Sequence, residues 1–462
     1  DISIDDYVGF IKEKIDKGDI LFPLYSNDAE TFDFRPGRFK EESQENVSGE
    51  WTVIRKIMEK LNTELGFEYV LPSVALEIQH ALTPQEAIAF TSAGYPVPVK
   101  KQPKYNIARW AVTGRDDTWL NTMCFRIYNK LTNSVDLDSQ SWKNLLELWS
   151  SDLRTHLTDQ RWSDCKAKVA DTLTDLKLPK RFGLQQEQFQ IIETTSEILA
   201  MTGVNCQIFG DGIYLVLETS TTKLILNLRR GIAIESLCFK SHGDDPCIGT
   251  IKHGYLNSIV QGADYYSGGM VIESPASQSK ITDLHPVIPT YLLSNNGDLT
   301  VKVKINTSAG MITKYIKLSS ALEQIKISYQ LSELKRSISS VKLGNFTLSP
   351  QFSKAFTSYS CKVGGAKERL FNVAKEINHS LPANRFVSSS RGFSATSGEL
   401  SLDCSGKSLY LTWVPSECTP LCFIDHDGDY TRVSLSVCEI DETSRESDRY
   451  GDFEVVLSSS AL

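Results

Sequence analysis

Residues 206–239, CQIFGDGIYLVLETSTTKLILNLRRGIAIESLCF, decide the fold. β-Branched and aromatic runs are cut by Gly210-Asp211-Gly212, Ser220-Thr221-Thr222 and Arg229-Arg230-Gly231, the pattern of consecutive strands joined by tight turns. Similar runs continue towards the C-terminus: LTVKVKINTSAGMITKYIKL (299–318), KISYQLSEL (326–334), SLYLTWV (408–414) and TRVSLSVCEI (431–440). That density predicts two large antiparallel sheets packed as a sandwich.

Upstream of Gly203 the pattern is helical. Ile4, Tyr7, Val8, Ile11 and Ile15 recur at helical spacing over residues 4–17. Helices are also expected over 49–63, 73–81, 115–131, 140–157 and 158–177, while 184–200 fits either a final helix or an edge strand. Pro96, Pro98 and Pro103 keep residues 85–106 from forming one helix. After the first helix, Gly18-Asp19 leads into ILFPLYSNDAETFDF, an apolar run ending in carboxylates. Helix, turn, buried strand, then acids at the strand's C-terminal end is the layout of an α/β barrel. One helix and one strand cannot close a barrel, so the chain is expected to begin late in one.

The 462 residues suffice for several domains and a large core. The net charge of −8 argues against sequence-independent nucleic-acid binding and fits a neutral ligand such as a sugar. No apolar run is long enough to span a bilayer. The ten cysteines show no zinc spacing; Cys418 and Cys422 have no second pair beside them. Reduced thiols in a cytoplasmic protein are the simpler expectation, with a secreted or periplasmic disulfide protein as the alternative. No P-loop, dinucleotide fingerprint or nucleophile elbow is present. Asn46-Val-Ser and Asn345-Phe-Thr fit the glycosylation pattern, which chance also produces.

Three constellations could carry chemistry. In Tyr25-Ser-Asn-Asp28-Ala-Glu30-Thr-Phe-Asp33-Phe-Arg35, Asp28 and Glu30 alternate at strand spacing and would share one side. Glycoside cleavage needs carboxyls flanking the sugar, so only one of these can be the acid and its partner comes from elsewhere. A solvated acidic loop is the plainer reading. In the second, Lys101, Gln102, Arg109, Trp110 and Arg115 surround a Pro-rich loop. An indole offers a flat face to a sugar ring, and amide or guanidinium groups bond its hydroxyls; a helix start with surface lysines is the alternative. In the third, LWSSDLRTHLTDQRW (148–162), Asp152 and His156 are four apart and would share a helix face, either around a ligand or as a structural pair.

The run Ser26-Asn-Asp28-Ala-Glu30-Thr-Phe32 resembles the late-barrel motif of glycoside hydrolase family 57 enzymes. The family 38 α-mannosidases share the same order of parts. Residues 249–255, 262–268, 271–273, 363–368 and 389–398 resemble the galactose-mutarotase-like sandwich of such enzymes. The resemblance implies an α+β multidomain chain: the end of a (β/α)7-type barrel (1–48), a helical bundle (49–203) and a large antiparallel β-sandwich (204–462). It implies Asp28 as general acid/base beside Glu30. It also implies a nucleophilic Glu on an earlier barrel strand, supplied by an N-terminal part or a partner chain. The activity implied is retaining cleavage or transfer of an α-glycosidic bond in an oligo- or polysaccharide, without cofactor or metal. A family 38 reading would add zinc, for which Asp28, Glu30 and the histidines form no triad. Arg35, Lys101, Gln102, Arg109, Trp110, Arg115, Asp152 and His156 would bind substrate. The rival expectation is a non-catalytic carbohydrate-binding or assembly subunit on the same scaffold.

Overall fold

A computed structural model describes residues 3–16, 21–22, 50–82, 91–98, 102–134, 139–155, 157–179, 189–251, 266–274, 279–335, 337–364, 368–373, 376–446 and 450–461. The chain divides into two compact units, Asp1–Ile88 and Ala89–Leu462. Of the barrel strand expected over 20–34, all but residues 21–22 lies outside the described residues.

In the first unit, helix Ile4–Asp16 packs on helix Glu50–Leu65. Val8 and Ile11 from the predicted apolar stripe meet Leu61, and Phe22 contacts Phe67. Helix Pro72–Leu82 follows, with Pro at its first position, where no backbone N–H is required.

The second unit opens with helices and continues as sheet. Helices Asp117–Thr132, Ser139–Leu148 and Asp159–Asp175 share a core that includes Leu120, Cys124, Ile127, Leu145, Leu148 and Val169. The single helix expected over 140–157 is corrected here. It stops at Leu148, and Ser151–Leu153 form a 3-10 turn. The Ser150-Ser151 pair and the Arg154 side chain, which donates to the Leu148 carbonyl at 3.1 Å, end the helix. The segment left open between helix and strand is both: Phe189–Ile192 is an edge strand, and Thr195–Thr202 is a helix. Thr194 and Glu197 form a reciprocal capping box at that helix's start.

Among the described residues the strands form three antiparallel sheets of ten, six and five. The opening stretch forms Asn205–Phe209, Tyr214–Glu218, Thr222–Asn227 and Ala233–Phe239, a meander in the five-stranded sheet. The ten-stranded sheet holds the long hairpin Leu299–Thr307 with Gly310–Leu318. Val301, Val303 and Ile305 are buried there while Lys302 and Lys304 face away, the two-residue alternation of a half-buried sheet. Strand Phe453–Ser458 sits between Gln324–Gln330 and Lys407–Thr412. The end of the chain thus joins the early and late halves of this sheet. One buried cluster includes Leu224 and Leu237 of the five-stranded sheet, Ile325 and Val455 of the ten-stranded one, and Val341 and Leu435 of the six-stranded one. The sandwich expectation therefore holds.

The helices are fixed to the six-stranded sheet. Ala108 and Val112 pack on Leu421 and Phe423. Thr118 Oγ1 donates to the Val437 carbonyl at 2.6 Å, and the Glu439 N–H to the Val112 carbonyl at 2.9 Å. All ten thiols are free and buried. Asn345 is 3% exposed within strand Ser340–Thr347, so its glycosylation pattern is a chance match. No helix among the described residues is long and apolar enough to cross a membrane.

Candidate functional site

Where the helices meet the sandwich, two adjoining cavities share Asn121 and Trp149 as walls. The smaller, about 150 Å³, is lined by Phe125, Trp413, Pro415, Thr396 and Thr419 among others. The larger, about 360 Å³, adds Trp110, Ser151 and Arg154. Together they form one groove with three indoles, several hydroxyls, an amide and a guanidinium.

Local sequence places each group. Asp116 caps helix Asp117–Thr132 by accepting from the Trp119 N–H, and Asn121 follows one turn on. Trp110 sits on the short helix Ala108–Ala111, held by Asn106, whose side-chain oxygen accepts from the Ala108 N–H at 2.8 Å. Trp149 follows the end of Ser139–Leu148. Gly114 lets the segments close up. It has φ +63°, and a Cβ there would stand 2.8 Å from the Arg154 carbonyl oxygen.

Asn121 ties the groove together. Its amide nitrogen donates to the carbonyls of Trp110 (2.9 Å) and Ala111 (3.1 Å). Its oxygen accepts from Trp149 Nε1 (3.2 Å) and Arg154 Nη2 (3.0 Å). All four capacities of the amide are used. The buried Arg154 is thereby fixed, and the Trp149 indole is tied to the backbone of the segment that carries Trp110.

Of the residues expected to bind substrate, Trp110 lines this groove. Arg109 is buried; it pairs with Glu442 at 2.9 Å and lies over the Tyr105 ring. Arg115 donates to the Leu157 carbonyl and to Asp159, at the start of helix Asp159–Asp175. Gln102 is exposed. Asp152 is exposed in the 3-10 turn that follows the end of helix Ser139–Leu148. Asp28, Glu30, Arg35, Lys101 and His156 lie outside the described residues. Asn121 and Trp413 were not singled out from sequence; Trp149 and Arg154 stood inside the third constellation but were not assigned to the ligand. The signal available was Trp149 directly after an amphipathic helix, next to two serines.

No carboxylate is among the described groove-lining residues. Among the described residues no cluster of three His, Cys, Asp or Glu side chains is placed to hold a metal ion. The described groove walls offer apolar ring faces beside a few polar groups.

No family model and no curated protein matches the chain. Among solved structures it is similar to a galactose mutarotase-like protein from Clostridium acetobutylicum, at 8% identity and TM-score 0.37 over 55% of this chain and 97% of that one. It is also similar to an α-galactosidase from Lactobacillus brevis, at 12% identity and TM-score 0.33, covering 55% of this chain and 40% of that one. A third likeness is to an α-N-acetylgalactosaminidase from Bifidobacterium bifidum, at 10% identity and TM-score 0.33, covering 52% and 35%. The chain spans well under half the length of these two glycosidases. At such TM-scores these likenesses carry no weight in the reading of the groove.

Proposed function

We propose that this chain is part of a carbohydrate-active enzyme and that the groove of Trp110, Trp149 and Trp413 holds sugar rings of its substrate. The observation that carries this reading is the lining of adjoining cavities by three indoles around Asn121, whose amide bonds the Trp149 indole and the Trp110 backbone carbonyl. Indole faces match the apolar faces of a sugar, while the amide, the hydroxyls and Arg154 match its polar edges. The net charge of −8 is compatible with a neutral ligand.

The acid–base chemistry then belongs to Asp28, with Glu30 beside it, as the resemblance of Ser26-Asn-Asp28-Ala-Glu30 implies. A carboxylate from a longer form of the protein or a partner chain attacks the anomeric carbon, while Asp28 protonates the departing oxygen. Asp28 then takes a proton from water or an acceptor hydroxyl as the glycosyl–enzyme bond breaks, with net retention. Water gives hydrolysis; a sugar hydroxyl gives transfer.

The test uses α-linked oligosaccharides, with the chain assayed alone and together with the coding region upstream of it. Asp28→Asn lowers turnover roughly 10²–10⁴-fold if it is the acid/base. Trp149→Ala raises KM about tenfold if its ring stacks on sugar. Activity that survives Asp28→Asn removes the catalytic assignment. The absence of a carboxylate from the described groove walls favours one second reading, a non-catalytic carbohydrate-binding subunit. Sugar binding without turnover in every form would select it.

A further inference from the structure

The outermost strand of a sheet leaves a row of N–H and C=O groups free to pair with another chain, and proteins blunt such edges with charge or by shortening them. Among the described residues the three sheets have six outermost strands. Arg369–Asn372 of the ten-stranded sheet carries Arg369, and Ser279–Thr282 of the six-stranded sheet carries Lys280. Ile377–Asn378 and Ile248–Gly249 are each two residues long. Phe189–Ile192 and Asn205–Phe209 have neither protection: their sequences, FQII and NCQIF, hold no charge.

These two edges lie on one side of the sandwich, because helix Thr195–Thr202, between them in the chain, touches both strands. Over 189–209 six large apolar side chains, Phe189, Ile191, Leu199, Met201, Ile208 and Phe209, are between 37% and 66% exposed. At about 200 Å² for a whole large side chain they leave roughly 600 Å² of apolar surface, the upper end of what a single chain shows. A stable interface buries about 800 Å² per partner, and in homodimers about 65% of it is apolar. The patch is of that size.

The occupant with a matching edge is a second copy. An antiparallel edge is its own complement about a two-fold axis. Each chain's charge of −8 repels its like, and an uncharged strip is where two copies meet at least cost. We infer that two copies of this chain pair through Phe189–Ile192 in antiparallel register and join their ten-stranded sheets into one, with Thr195–Thr202 and Asn205–Phe209 flanking the join. An axis through Gln190 sets Phe189 of each copy opposite Ile191 of the other, two aromatic–aliphatic pairs across the strands. The exposed Gln190 then meets its own counterpart. Glu193 lies past the strand, where its N–H donates to the Glu197 carboxylate at 3.3 Å, and so stays outside the paired stretch.

Sedimentation velocity of the full chain tests this. The unaltered chain sediments at twice its own mass, with a Kd below about 10 μM. Gln190→Lys sets two lysines face to face, and Ile191→Lys places one against each Phe189. Either raises the Kd about 100-fold, with circular dichroism unchanged because both positions are exposed. Gln190→Glu does the same alone, and mixed one to one with Gln190→Lys it restores the dimer. Leu370→Lys, on the opposite edge of the sheet, leaves the Kd as it was. Should Ile191→Lys lose its native circular dichroism, the two Gln190 variants and their mixture carry the comparison. A chain that stays monomeric at about 100 μM overturns the proposal. Protection of its 189–192 amides from hydrogen exchange would then show that another stretch of the same chain covers the edge. A dimer that survives both lysine variants is built elsewhere and also overturns it. A mixture that fails to re-form the dimer overturns the Gln190 register.

Discussion

At the scale of single residues, Asn121 is the groove's keystone and had no visible signal. In DTWLNTMCF it is one polar residue on a helix. Its partners come from residues 110, 111, 149 and 154, and only the folded packing of the helices brings them to it. Trp110 was legible because a Trp beside a Pro-rich, cationic loop is unusual on a surface. Arg109 and Arg115 looked equally suited to hydroxyls, and each has a bond within the protein, Arg109 to Glu442 and Arg115 to the Leu157 carbonyl and Asp159. The Glu442 partner of Arg109 is 333 positions away, beyond any local pattern. Asn121→Ala leaves the buried Arg154 short of an acceptor and two backbone carbonyls short of a donor. It costs about 1–3 kcal/mol, read as a lower urea midpoint, and shifts tryptophan emission as Trp149 loses its Nε1 partner. Asn121→Asp restores the acceptor but sets a charged oxygen against the Trp110 and Ala111 carbonyls, so it does not recover the loss. An unchanged midpoint in both variants removes the keystone role.

At the scale of elements, period-two patterning found strands such as Leu299–Thr307, which bury one face, while Thr431–Cys438 of the six-stranded sheet is buried throughout and reads as a β-branched run. Patterning could not show which strands pair. Phe453–Ser458 reads as an ordinary terminal strand, yet it pairs with Gln324–Gln330 on one side and Lys407–Thr412 on the other. Register opposes Val455 to Ile327 and Leu457 to Ile325, all buried, while Glu454 on the other face meets Lys326 at 3.1 Å. Leu457→Ala therefore costs roughly 3 kcal/mol by opening a cavity at the join of the sheet. Val456→Thr, on the half-buried face, stays within about 0.5 kcal/mol. Chemical denaturation of the pair checks the register; equal losses would mean that both faces are buried. The helix expected over 140–157 failed for a different reason. Hydrophobic spacing runs past Leu148, but the two serines and the Arg154 donor outweigh it.

At the scale of the molecule, buried histidines set the response to acid. Ile424 donates its backbone N–H to His379 Nδ1 at 3.1 Å, so Nε2 carries the proton and donates to the Ala93 carbonyl at 2.8 Å. Tyr359 Oη donates to that same carbonyl at 2.7 Å. This neutral ring thus links the 91–98 segment to the sandwich. Burial lowers its pKa from 6.5 to about 4, against opposing help from the Ala93 bond and Asp425. His242 and His426 are also pushed down, in both cases mainly by burial. Between its folded and unfolded pKa values, each is neutral when folded and protonated when unfolded. The unfolded chain then binds more protons, so stability falls as pH drops through that window. For His379 the loss between pH 6.5 and about 4 is of order 3 kcal/mol. The carboxyls act in a lower range. Burial alone would raise Asp425, but Arg432 and Ser380 outweigh it and hold it low, so it adds to the loss only in stronger acid. Burial raises Glu417 and Asp452, which bind protons more readily when folded and partly offset the decline. Urea midpoints should therefore fall steadily from about pH 7 to about pH 4.5. His379→Gln should start lower at neutral pH, having lost one of its two bonds, and decline with a shallower slope. A midpoint that stays level to about pH 5 in the unaltered chain, or an equal slope in the variant, would show that these rings accept protons without unfolding.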